Sequence, residues 1–290
     1  MPTLAFHQVD VFTALPLKGN PLAVVPDADE LSDETMASLA NWTNLSETTF
    51  LLKPTVPGAD YRVRIFTPVG ELPFAGHPTL GSCHVWLNRK GTAKQSRIVQ
   101  ECGVGLVQIK RDGDRLAFAA PPLRRSGDVD CATIEIIASG LKIRPETIKA
   151  AQWVDNGPGW VAVMLSTRAE VLALKPDYAA LAGHMLGVIA PWQAARDGNE
   201  ARFEVRAFIP SRASEDPVTG SLNAGLAQWL TSAGLAPNAY IASQGTALGR
   251  AGRVYVERDG ENVWIGGKTV NCIEGRLDLG SLGPVVKPEL

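Results

Sequence analysis

The sequence predicts an α+β protein of two similar halves, each a set of strands wrapped round one central helix. Three observations carry this. Val63-Arg64-Ile65-Phe66-Thr67-Pro68 reads V-R-x-F-x-P and returns 142 residues later as Val205-Arg206-Ala207-Phe208-Ile209-Pro210. The stretch from Gly105 to Asp114 returns 147 residues later as Gly252 to Glu261, with Asp112-Gly113 answered by Asp259-Gly260. Each half also carries a small, glycine-containing loop ahead of a helical stretch. This period is too long for a solenoid and is a natural size for one compact domain. A cleft between two similar halves is a common small-molecule site, so the differences between the halves point to the chemistry.

The elements follow in order. Leu4 to Phe12 alternates as a strand and reaches a turn at Pro16 to Pro21, after which Leu22 to Val25 forms a second strand. Ser32 or Asp33 caps a helix that carries Met36, Leu39 and Ala40 on one face. Thr48 to Leu52 and Tyr61 to Phe66 are rich in Thr, Val, Ile and aromatics, the composition of strands. A helix follows Pro73-Phe74-Ala75-Gly76-His77-Pro78 and runs through Trp86-Leu87, and strands then pair across Asp112-Gly113, a strong hairpin signal. The second half repeats the plan: a strand ending at Pro210, a loop, a helix from about Thr219 to Leu230, and a hairpin at Asp259-Gly260. Pro121-Pro122 fits a linker. The expected division is residues 1–120 and 121–290, with the terminal strand free to cross back.

Composition narrows the function classes. Over 290 residues, Lys+Arg 28 against Asp+Glu 30 gives a net charge of −2, so no basic excess argues for nucleic acid. No apolar run reaches the roughly 18 residues of a membrane span. Met1 to Phe12 lacks the positive charge of a secretory signal. Cys83, Cys102, Cys131 and Cys272 are scattered, as expected for reduced thiols of a cytoplasmic protein.

Three stretches carry candidate chemistry. Phe74 to Thr79 and Glu215 to Ser221 each open a central helix, where unpaired N–H groups and a partial positive charge suit a carboxylate or phosphate. Plain capping explains either loop alone; their recurrence at matching places argues for a site. The third is Asn44-Leu45-Ser46-Glu47-Thr48, which joins the first helix to a strand. Glu47 is either a solvated turn residue or a carboxyl pointing into the cleft, where burial raises its pKa toward useful acid/base values. The matching position in the second half is Ile189, so the halves are asymmetric here. The candidate acid/base groups are Glu47, His77 and Asp216.

Together Asn44 to Thr48, Glu71 to Pro78 and Glu215 to Ser221 resemble the signature stretches of the phenazine-biosynthesis PhzF family, and Phe66-Thr67-Pro68, Gln244-Gly245 and Gly249-Arg250 fit the same pattern. The resemblance spans essentially the whole chain. It implies the diaminopimelate epimerase-like fold, in which two pseudo-symmetric halves, each a curved sheet or barrel around a central helix, enclose the site. It also implies a homodimer that needs no cofactor or metal and acts on a small carboxylate-bearing molecule. The best-understood member isomerises trans-2,3-dihydro-3-hydroxyanthranilate by moving a proton between ring carbons. Carried over by motif, Glu47 is the proton-shuttling base, and His77, Asp216 and Ser221 orient substrate. Gly76 and Gly220 offer backbone N–H groups to the carboxylate, with Thr219 beside them.

Racemases and epimerases of this fold carry a Cys at the head of each helix. Neither loop contains one here, which disfavours a two-cysteine racemase. A racemase or epimerase of an amino or hydroxy acid that uses Glu47 and Asp216, and a non-catalytic binding relative, remain as alternatives. Gly266-Gly267-Lys268-Thr269 lacks the glycine of a phosphate loop at Asn262, Gly103-Val104-Gly105 precedes a strand rather than a helix, and the four histidines lack metal-ligand spacing. Leu222 and Asn223, just inside the second helix, are left open as pocket-shaping residues.

Overall fold

The computed structural model describes residues 3–90 and 97–280. The chain begins with β1 (Leu4–Val11), β2 (Asn20–Val25), α1 (Asp33–Thr43), β3 (Thr48–Leu52), β4 (Tyr61–Thr67), β5 (Gly70–Leu72), α2 (Gly76–Lys90), β6 (Arg97–Cys102), β7 (Gly105–Asp112) and β8 (Arg115–Ala119). It continues with β9 (Arg125–Asp128), α3 (Cys131–Leu141), β10 (Ala150–Asp155), β11 (Val161–Met164), α4 (Arg168–Ala173), β12 (Leu186–Pro191), α5 (Ala194–Asp197), β13 (Phe203–Ile209) and β14 (Ser214–Asp216). It ends with α6 (Gly220–Ser232), β15 (Ala239–Gln244), β16 (Gly252–Asp259), β17 (Asn262–Gly267) and β18 (Thr269–Leu277).

The sequence repeats are structural repeats. β4 pairs antiparallel with β3 and β5 and parallel with β6. β13, which carries the second V-R-x-F-x-P, pairs antiparallel with β12 and β14 and parallel with β15. The other repeat forms β7 and β16, which turn at their Asp-Gly dipeptides into β8 and β17. β8 and β17 then pair with each other, Phe118 opposite Ile265, and β18 returns to pair with β1. α2 packs against β1, β2, β3, β4 and β8, and α6 against β10, β16 and β17, so each set of strands wraps its own helix. One apolar core runs from Val9, Leu22 and Phe118 through Trp160 and Leu222 to Ile265. Smaller cores lie under α1, around Met36, Phe50 and Phe66, and beside α3, around Ile137 and Trp153.

Local chemistry explains several boundaries. Ser32, rather than Asp33, caps α1 by accepting from the Thr35 N–H, and Asp33 and Glu34 complement the positive end of the helix. At the other end Asn44 takes a left-handed conformation at φ 53 and turns the chain toward β3. Two parts of the sequence reading are extended. The expected loop after Pro210 holds a single 3-10 turn, Pro210–Arg212, and then β14, so Asp216 ends a strand and is not part of the helix head. Residues 123–202, to which the sequence reading assigned no elements, supply β9 to β12 and α3 to α5 in short pieces.

The repeat also places the same ion pair twice, in different surroundings. Arg64 holds Glu71 through Nε and Nη2 at 2.8 and 2.7 Å, and Arg206 holds Glu215 in the same way at 3.0 and 2.7 Å. Glu71 is 41% exposed and Glu215 only 4%. Arg206 also donates to the carbonyls of Val171 and Leu174, tying β13 to α4 and the segment after it. Removing the carboxylate strands a buried guanidinium at Arg206, whereas Arg64 keeps Asp33 as a second carboxylate partner. Glu215→Ala is therefore expected to cost about 3–5 kcal/mol in urea unfolding, and Glu71→Ala about 1 kcal/mol or less. Equal costs would contradict this reading of burial.

Candidate active site

The two central helices meet head to head. A Cβ on Gly76 would lie 2.9 Å from the Gly220 Cα and 2.8 Å from the Phe118 ring, and a Cβ on Gly220 would lie 2.9 Å from the Gly76 Cα. Only a pair of glycines lets these backbones touch. Two helix N-termini thus open at one point, each with first-turn N–H groups that lack intrahelical partners. Thr219 precedes α6 without capping it by its side chain. Its hydroxyl donates to Asp216 Oδ2 at 2.5 Å and accepts from Gln244 Nε2 at 2.9 Å.

Glu47, His77 and Asp216 come together at this point. The left-handed turn at Asn44 and a hydroxyl contact of 2.9 Å between Thr43 and Thr48 set the short connection that carries Glu47. Glu47 Oε2 lies 3.2 Å from His77 Nε2. The two atoms are not aligned as a hydrogen bond, and both are buried without a protein partner. Asp216 lies across from them, held by Thr219 and by Asn20, whose amide donates to Asp216 Oδ1 at 3.0 Å and to the Val218 carbonyl at 2.9 Å. The same amide nitrogen faces His77 Nδ1 at 3.4 Å. Both hydrogens of that amide are already directed at Asp216 and Val218, so this third, longer approach is a polar contact between Asn20 and the ring.

Asn20 is a site residue that sequence reasoning missed. It is fully buried, and the loop before it is fixed by Asp10 Oδ2, which accepts from the N–H groups of Lys18 and Gly19 at 2.7 and 2.9 Å. Gly19 is required, because a Cβ there would meet the Val11 carbonyl at 2.1 Å. The signal available was the turn Leu17-Lys18-Gly19-Asn20-Pro21, read only as a turn.

Burial sets the protonation states. It pushes Glu47 up to about 8, with the Asp216 carboxylate adding to the rise and Arg212 opposing it. Burial lifts Asp216 to about 6 against the hydrogen bonds from Thr219 and Asn20, and it drives His77 down to about 3, so the ring is neutral. Near neutral pH the site therefore holds a mostly protonated carboxyl beside a neutral imidazole. A carboxyl poised close to the working pH can both take and return a proton.

These groups open into a cavity of about 960 Å³ between the halves. Gly76, Gly220, Thr219 and Ser221 line one wall, and Leu72, Phe74, Met185, Ile209 and Trp264 give it apolar surface. Ser221 Oγ accepts the Trp160 indole N–H at 3.0 Å, which leaves its own proton to donate. All seven candidate site residues from the sequence thus line one cavity. Leu222 and Asn223 do not: Leu222 packs against Gly187, and Asn223 donates to the Thr219 carbonyl and Gln244. The rejected Gly266 to Thr269 stretch runs from β17 into β18, and Lys268 there pairs with Asp114. Among the described residues no helix is long and apolar enough to cross a membrane, and no cluster of three His, Cys, Asp or Glu could hold a metal ion.

Paired helix-centred halves around an acid/base cleft define the diaminopimelate epimerase-like class of α+β proteins. A hydroxyproline epimerase from Agrobacterium vitis shares the fold at TM-score 0.55 and 12% identity, over 96% of this chain and 93% of that one. The chain belongs to the PhzC-PhzF family of phenazine biosynthesis-like proteins, whose family profile matches residues 9–275. A PhzF-family crystal structure from Enterococcus faecalis superposes at TM-score 0.79 with 25% identity, covering 96% of this chain and all of that one. The trans-2,3-dihydro-3-hydroxyanthranilate isomerase of Pseudomonas aeruginosa is 35% identical over 92% of both chains. A Schizosaccharomyces pombe protein named antisense-enhancing sequence 1 is 36% identical over 94% of this chain and 98% of its own. The family and the fold expected from the sequence are both borne out.

The raised pKa of Glu47 has a stability consequence. The folded state favours the protonated carboxyl, so this contribution is complete below the ordinary carboxylate range and is lost as pH rises through about 8. Glu47→Gln, which mimics the protonated group, is expected to leave stability unchanged near pH 4.5. It should exceed the native protein on the order of a few kcal/mol at alkaline pH. Thermal and urea unfolding of both proteins across pH measure this. A Gln variant that loses stability at high pH would show that the folded protein favours the carboxylate.

Proposed function

We propose that this protein is a cofactor-independent isomerase that moves a proton between carbons of a small carboxylate-bearing substrate, as a trans-2,3-dihydro-3-hydroxyanthranilate isomerase does. The observation that carries the proposal is the Glu47 carboxyl, which lines the cavity with its Oε2 buried, without a hydrogen-bond partner, and 3.2 Å from a neutral His77. The substrate carboxylate docks on the N–H groups at Gly76 and Gly220, with Ser221 and Thr219 beside it. Ionised Glu47 takes a proton from the substrate carbon, and the electron pair moves into the conjugated system that leads to the carboxylate. The helix heads and the His77 and Asp216 side chains stabilise the anion formed. Protonated Glu47 then returns the proton to a second carbon, so one group serves as base and acid on a single face. The absence of cysteine from both helix heads supports this over a two-cysteine racemase. The scattered, unpaired cysteines suit a cytoplasmic setting, and the family resemblance supports a homodimer.

Deuterium uptake from D2O, read by mass spectrometry over a panel of dihydro-hydroxyanthranilate and cyclic amino and carboxylic acids, tests the assignment. Label or isomer formation is expected in at least one carboxylate, with Glu47→Gln slower by about 10²–10⁴-fold. Because the free enzyme must ionise Glu47 before it can act, kcat/KM is expected to rise with pH up to about 8. Label accompanied by inversion of a stereocentre would identify an epimerase that uses Glu47 and Asp216. Exchange that persists in Glu47→Gln would remove Glu47 from the mechanism.

A further inference from the structure

The two halves differ most, next to the site, in the turn that follows the V-R-x-F-x-P repeat. In the first half Pro68-Val69-Gly70 leads directly into Glu71; in the second, Pro210-Ser211-Arg212-Ala213-Ser214 leads into Glu215 and is two residues longer. The added length forms the 3-10 turn Pro210–Arg212, closed by Ala213 in a left-handed conformation at φ 46, which is unfavourable for a residue with a Cβ. The residue this turn presents is Arg212, where the first half presents Val69; both line the cavity.

The charges lining the cavity are unbalanced. Its carboxyls are Glu47 and Asp216, both half-buried beside the helix heads, and its guanidinium groups are those of Arg97, Arg124 and Arg212. Arg97 donates to Gln108 at 3.2 Å. The side chains of Arg212 and Arg124 have no ion-pair or hydrogen-bond partner among the described residues. Arg212 acts electrostatically on both Glu47 and Asp216, so it stands near the reacting groups as well as at the mouth. The cavity, at about 960 Å³, is far larger than one docked carboxylate needs. Two unpaired cations on the wall of a partly apolar cleft are the arrangement for a second anion.

We propose that the substrate is a dianion: one carboxylate seats at the Gly76 and Gly220 helix heads, and a second anionic group, a carboxylate or a phosphate, is held by Arg212 with Arg124 adding positive potential. This rests on the site assigned above and names the substrate class that site takes. Arg212 is then a specificity residue, and the chain selects against substrates with a single charge.

Calorimetric binding of matched compounds tests this without turnover: benzoate against phthalate, isophthalate, terephthalate and 3-carboxyphenyl phosphate. At least one dianion is expected to bind the native protein roughly tenfold or more tightly than benzoate. Arg212→Gln should erase that advantage while lowering benzoate affinity much less, and Arg212→Lys should recover part of it. Preference for the phosphate or for a dicarboxylate tells the two sources of charge apart. Equal loss for benzoate and the dianions in Arg212→Gln would overturn the proposal, as would no saturable dianion binding at millimolar concentration. Glu47→Gln distinguishes the two assignments: if it retains dianion selectivity while the native protein shows no exchange, the proton-transfer reading fails and this one stands.

Discussion

Everything in the site depends on the contact between Gly76 and Gly220. Each glycine leaves room for the other's Cα, and a methyl group on either would force the helices apart or into Phe118. The consequences extend in both directions along the chain. The contact lies close to Phe118, which pairs with Ile265 where β8 and β17 join the two sets of strands, so core packing and helix meeting form one unit. It also brings two partial positive charges to one point, which is unfavourable without an anion and favourable with one. The fold therefore carries an anion-binding locus as a result of its own symmetry.

The chemistry arises where that symmetry fails. The first half contributes Glu47 and His77, and the second contributes Asp216 and Arg212. The register of the strands corrects the match made by sequence offset: Thr48 faces Phe66 as Leu186 faces Phe208, so the second half has Met185, also lining the cavity, where the first has Glu47, and Ile189 lies further along β12. Asn20 spans the divide by bonding Asp216 and Val218 of the other half and facing His77. It links the Asp216 carboxyl to the imidazole without being titratable itself. Burial then separates the protonation states, with Glu47 about 8, Asp216 about 6 and His77 about 3, so acid, anion and neutral ring coexist in one cleft.

The repeats made the fold legible, because V-R-x-F-x-P and the Asp-Gly hairpins each mark a strand whose neighbours recur. The glycine-containing helix heads and the Asn44 to Thr48 connection were legible for the same reason: short stretches of distinctive chemistry at element ends. What stayed hidden depended on distance in sequence. Asn20 precedes Glu47 by a whole helix and strand, and its importance comes from bonds to Asp216 and Val218, which nothing local announces. The burial of Arg206 compared with Arg64 was equally invisible, since both sit in the same motif and both meet a helix, Arg64 through the exposed Asp33 carboxylate of α1 and Arg206 through buried carbonyls at the end of α4. β9 to β12 escaped notice because strands of 4–6 residues carry little periodicity.

The central claim is that the touching helix heads form the seat for a substrate carboxylate. The most direct measurement is small-carboxylate binding, with benzoate as probe, to Gly220→Ala and to the native protein by calorimetry, with thermal unfolding confirming that the variant is folded. The account predicts a folded but less stable variant, by about 1–3 kcal/mol, that has lost carboxylate binding because the two helix heads have moved apart. A folded variant that binds carboxylate as the native protein does would contradict it, and would place the anion seat elsewhere in the cleft.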